Sequence, residues 1–142
     1  MGRMVDIDFH FGQPIAAGDL LQSLLNSGVS LIEDGAITFH LTDDFDWETR
    51  PAADVDEVLG YLAVQAEAGE TVGVEVHFEG SSLGGTLLVP AESTVVYFIL
   101  SADRMMIDNF DFTDFSWYLA RVIPPFSEHG MTGFECHDFY PR

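Results

Sequence analysis

The 142-residue sequence predicts an α+β domain, with a largely antiparallel sheet of about six to seven strands and three helices on one face. Three observations carry this. Several short segments alternate apolar and polar residues at a period of two. Three other segments space apolar residues as one face of a helix. The strands also come in runs between helices, which builds an antiparallel sheet, where strict strand–helix alternation would build a parallel one. No linker or low-complexity tract interrupts the chain, so residues 1–142 read as a single domain.

Each element has its own signal. Val5, Ile7, Phe9 and Phe11 alternate with Asp6, Asp8 and His10, a half-buried strand ended by Gly12-Gln13-Pro14. Leu20, Leu21, Leu24 and Leu25 share one face of a short helix, with Asp19 in its first turn and Gly28 as its stop. Segments 29–32 and 36–41 flank Asp34-Gly35, a dipeptide that favours a hairpin. Segment 43–50 reads as an acidic connection. Pro51 suits a first helical position. Val55, Val58, Leu59 and Leu62 then repeat at helical spacing, with Asp54, Asp56 and Glu57 favoured by the dipole at the start and Gly69 as terminator.

Val72, Val74, Val76 and Phe78 alternate with Gly73, Glu75 and His77, a second half-buried strand. A glycine-rich turn over 80–85 leads to strands over 86–89 and 94–100. The latter is apolar on both faces and so is placed centrally in the sheet. Segment 103–112 reads as a loop. Thr113 caps a helix carrying Phe115, Tyr118, Leu119 and Val122, which Pro124-Pro125 should end. Segment 134–139 is the last strand. The order is β-α-β-β-α-β-β-β-α-β, and its first six elements match the ferredoxin-like order.

Charge excludes several functions. The chain has 24 acidic residues against five basic ones, a formal charge of −19. The five are Arg3, Arg50, Arg104, Arg121 and Arg142, and lysine is absent. With no basic cluster to displace counterions, nucleic-acid binding is excluded, and an anionic membrane would repel the chain. A hydrophobic content of 47% argues against disorder. Cys136 is the only cysteine, so no intrachain disulfide can form, and a reducing compartment fits. The start of the sequence has no apolar run of signal-peptide length, and the expected location is cytoplasmic.

No complete catalytic constellation is present; the residues lean against an enzyme without deciding the question, and no cofactor is assigned. Gly80-Ser81-Ser82-Leu83-Gly84 matches G-x-S-x-G, but the nucleophile elbow needs a helix after the turn, and 86–89 reads as a strand. Asp6, Asp8 and His10 share one strand face, and His40 and His77 take similar outward positions. These five are the candidate metal ligands if their strands are neighbours; otherwise they are an ordinary solvated face, and no metal is assigned. Asp44, Asp46 and Glu48 begin like an EF-hand loop, but Thr49 and Val55 stand where glycine and glutamate are required. Alternation places Cys136 inward with Phe134, as a packed thiol.

Two segments interleave aromatics with carboxylates: 43–48 (DDFDWE) and 108–117 (DNFDFTDFSW). Aromatic anchors ringed by charge are typical of protein-binding hot spots. A domain at −19 repels itself, so the acidity itself calls for an explanation. The expectation is an acidic protein-binding or inhibitor module for a basic protein partner. Asp43, Asp44, Asp46, Glu48, Asp108, Asp111 and Asp114 would supply attraction, and Trp47 and Phe110 would be the anchors. In composition, though in no motif, the chain resembles the acidic immunity proteins that neutralise basic toxins. That resemblance implies a bacterial inhibitor. The competing expectations are a metal-binding domain or enzyme on the Asp/His face, and a subunit whose acidity is adaptation to a salty medium.

Overall fold

In a computed structural model, which describes residues 3–42, 44 and 46–140, the alternation at the start of the chain becomes strand β1 (Met4–Phe11). It buries Val5, Ile7, Phe9 and Phe11 and turns Asp6, Asp8 and His10 to the opposite side. The chain continues through α1 (Ala17–Leu25), β2 (Val29–Ser30), β3 (Ala36–His40), β4 (Glu48–Pro51), a short 3₁₀ turn (Ala52–Asp54) and α2 (Val55–Glu67). It closes with β5 (Val72–Phe78), β6 (Gly84–Val89), β7 (Val95–Leu100), α3 (Phe115–Ser127) and β8 (Met131–Phe139).

The strands form one eight-stranded sheet in the order β4-β3-β5-β6-β7-β1-β8, with β2 also paired to β5. Every pairing is antiparallel. The α+β class, the three helices and the antiparallel sheet agree with the reading of the sequence. The ferredoxin-like start does not form, because a split βαβ unit needs parallel strands. The helices cover one face of the sheet. Leu20, Leu21 and Leu24 of α1, Val58 and Leu62 of α2, and Tyr118, Val122 and Phe126 of α3 join the inward strand residues in one core. An aromatic group anchors its centre: Phe78 lies 6.0 Å from Phe98, 5.2 Å from Trp117 and 5.8 Å from Tyr118, all edge-on.

Several boundaries differ from expectation, each for a physical reason. Asp34 and Gly35 do adopt positive φ, at 52° and 76°, and close a tight turn. The arms do not pair as a hairpin beyond Glu33 and Ala36, because β2 and β3 lie end to end along β5: Val29 faces Phe78, and Phe39 faces Val74. The acidic connection contains β4, whose pattern is hidden because it is a polar edge strand. Pro51 ends that strand and caps the 3₁₀ turn that leads into α2, one place before the first helical position. Thr113 does not cap α3. It is buried, its N–H donates to Asp138 Oδ2 at 2.8 Å, and its Oγ1 accepts from Arg104 Nε at 3.1 Å. Asp114 takes the capping position without a side-chain cap. Pro124 and Pro125 lie inside α3, which runs on to Ser127. Strand β7 is interior to the sheet, between β6 and β1, but its Tyr97 and Ile99 are exposed on the face without helices.

Candidate functional site

The face away from the helices is built by strand alternation. Neighbouring strands place equivalent residues side by side, so register determines which side chains meet. Asp6 sits opposite Ile99 of β7 and His137 of β8. Asp8 sits opposite Tyr97 and Glu135, and Met4 opposite Phe139. Thr86 carries the same row from Ile99 to Glu75. The result interleaves apolar and acidic side chains. Met4, Ile99, Tyr97 and Phe139 are 45%, 43%, 37% and 48% exposed.

Within this face Asp6, Asp8 and His137 converge. His137 Nδ1 lies 2.6 Å from Asp6 Oδ1. The Asp6 hydrogen bond raises the His137 pKa above the ordinary 6.5, against the effect of burial, and the charges of Asp6, Asp8 and Glu135 add to it. Burial first, and then the charge of Asp6, raise Asp8 above the ordinary 3.8; Glu135 adds, and His137 and His10 oppose. The His137–Asp6 pair therefore contributes its full stabilisation below pH 6.5 and loses it as pH rises through the raised folded value. Thermal melts of the parent and His137→Gln should differ most at about pH 6 and converge towards pH 9. A difference independent of pH would show that the pair does not titrate as described.

The histidines singled out by sequence do not converge. His10 turns to Glu135 at 2.8 Å. His77, on β5, meets Glu33 at 2.9 Å. His40 is fully buried on β3. Its imidazole lies across Gly73, where an added Cβ would overlap the ring, and Trp47 stands edge-on over it at 4.6 Å. Three strands (β5, β6 and β7) separate His40 from β1. His137 was missed because only strand order brings β8 beside β1. Its alternation with Glu135 and Phe139 did signal an outward face.

The two acidic loops lie at opposite corners of the sheet. Asp44, Asp46, Trp47 and Glu48 are exposed beside edge strand β4, while Asp43 and Phe45 fall outside the described residues. Asp108, Phe110 and Asp111 are exposed and Asp114 half-buried, in the loop that leaves the far end of β7. Six strand spacings separate the two edges, about 29 Å, so the loops form no single patch. Arg3 holds the second loop. It pairs with Asp138 and with Asp111 and stacks its guanidinium 5.2 Å from the rings of Phe112 and Tyr140. Phe110 and Phe112 point outward.

The remaining motifs fall away. Ser82 lies in a turn between two strands, donating to Asp103 Oδ2 at 3.2 Å, so the strand-to-helix context of a nucleophile elbow is missing. Cys136 shares the helix-side face with Phe134, and burial, with Asp6 adding, raises its thiol pKa, opposite to what a nucleophile needs. No helix is long and apolar enough to cross a membrane among the described residues. No protein-family model, curated protein or solved structure matches the chain.

Proposed function

We propose that this chain is an acidic protein-binding domain that takes a basic protein partner on the open face of its sheet. The observation that carries the reading is that face itself: Met4, Tyr97, Ile99 and Phe139 stand exposed among Asp6, Asp8, Glu75 and Glu135. Exposed apolar anchors ringed by carboxylates fit a partner whose apolar centre is bordered by arginine or lysine. Charge selects among occupants. A second copy would bring another −19 and be repelled, whereas a basic surface would be steered inward. The loop acids Asp44, Asp46 and Glu48 and the acids Asp108, Asp111 and Asp114 sit at the corners of this face, where they extend the attraction to its rim. Trp47 and Phe110 are the peripheral anchors.

The test is kinetic and uses an arginine-rich peptide carrying one tryptophan, followed by stopped-flow fluorescence. Glu75→Gln, Glu135→Gln and Asp46→Asn together should slow association at low salt about tenfold and flatten its salt dependence. Asp19→Asn, Asp56→Asn and Glu67→Gln, on the helix side, remove the same charge and should change the rate by less than about twofold. Tyr97→Ala should speed dissociation about tenfold at an unchanged association rate. Equal slowing by both triple variants would reduce the effect to bulk charge and overturn the assignment of the face.

A further inference from the structure

We propose that Asp6 and Asp8 of β1 and His137 of β8 together bind one divalent transition-metal ion on the open face of the sheet. The residues are brought together by register alone: Asp6 and Asp8 point the same way from β1, and His137 faces Asp6 across the β1–β8 ladder. One donor atom from each lies within 4.8 Å of the other two. Donors around a shared ion at about 2.1 Å stand at most about 4.2 Å apart, so small side-chain rotations close the cluster.

A second observation separates this cluster from an ordinary ion pair. His137 is committed to Asp6 and His10 to Glu135. Asp8, half-buried between them, makes no hydrogen bond or ion pair among the described residues. A cation would neutralise it. The three side chains line a hollow of about 270 Å³ walled by Met4, Tyr97 and Phe139. These neighbours are themselves exposed, so the hollow is open to solvent and an ion reaches the carboxylates directly.

The donor set selects the ion. One imidazole nitrogen with two carboxylate oxygens suits Zn²⁺ or Mn²⁺. Calcium takes about six to eight oxygens, more than these two strands offer. Three protein donors leave coordination positions open to solvent. The site shares Asp6 and Asp8 with the face proposed for the basic partner, but ion binding is measured on the chain alone, so the two readings fail separately.

The experiment is calorimetric titration of the chelator-treated chain with Zn²⁺, backed by Mn²⁺ broadening of amide resonances. The expected result is one saturable Zn²⁺ site, weakened at least about tenfold in Asp8→Asn and in His137→Ala and unchanged in His10→Ala. Mn²⁺ should broaden residues 5–9 and 135–138 first. These are outward side chains, and circular dichroism of each variant reports whether it still folds. If a variant unfolds, the Mn²⁺ pattern on the parent chain decides. Weak multi-site binding with broadening spread over the acidic surface would mean adventitious ions only and overturn the proposal, as would no binding at all.

Discussion

Replacing Gly85 with alanine should lower the unfolding free energy by about 3 kcal/mol or more, at or above the upper end of ordinary overpacking. A Cβ there would overlap the carbonyl oxygen of Ile99 and come within 2.7 Å of the Phe98 ring. Neither obstacle can move cheaply. The carbonyl belongs to the neighbouring strand, and Phe98 is locked against Phe78 and Tyr118. Gly85 therefore provides the space in which the central aromatic cluster packs. Gly133→Ala is the control. It too lies in a strand, but no atom stands within 4 Å of its added Cβ, and stability should change by less than about 0.5 kcal/mol. Chemical denaturation of both variants measures the contrast, and similar losses in the two would show that the crowding at Gly85 is relieved by backbone movement.

Gly85 also shows where sequence reading stops. A run of glycine and serine between two strand patterns reads as a turn, and Gly80, with φ of 77°, does serve one. Gly84 and Gly85 are strand residues, small because the neighbouring backbone and Phe98 occupy the space beside them. That requirement comes from strands distant in the chain, so no local pattern records it. The same division runs through the molecule. Strands β1 and β5 were legible because one face is buried and the other wet, which writes a period of two into the residues. Strand β4 was not, because as a polar edge strand it buries little and needs no such pattern. Asp6 and Asp8 were legible as outward carboxylates. That they meet His137, while His10, His40 and His77 stay apart, depends on strand order, which alternation does not encode.

Helix α3 gives the second large expected effect. Phe126→Ala should cost about 3–5 kcal/mol, the range for truncating a fully buried aromatic, and lower the melting temperature by roughly 10–15 °C. Phe126 is completely buried, 4.8 Å edge-on to Phe9 and 5.7 Å from Phe11. It also holds a segment that local propensity opposes. Pro124 and Pro125 lack N–H groups, so the carbonyls of Ala120 and Arg121 lose their helical partners. Proline also disfavours helical geometry in the residue before it. The helix continues because Tyr118, Val122, Pro125 and Phe126 form one buried stripe, and packing of that stripe outweighs the lost hydrogen bonds. Removing Phe126 should therefore do more than leave a cavity: residues 123–127 should fray ahead of the rest, seen as accelerated amide exchange in that turn. Pro124→Ala tests the opposing force. Pro124 is exposed, so the change restores a donor without uncovering the core and should stabilise by about 1 kcal/mol, less than the mid-helix penalty because the unfolded chain also gains freedom. If Phe126→Ala lost stability with uniform exchange along α3, the helix would be holding its last turn by some means other than this side chain.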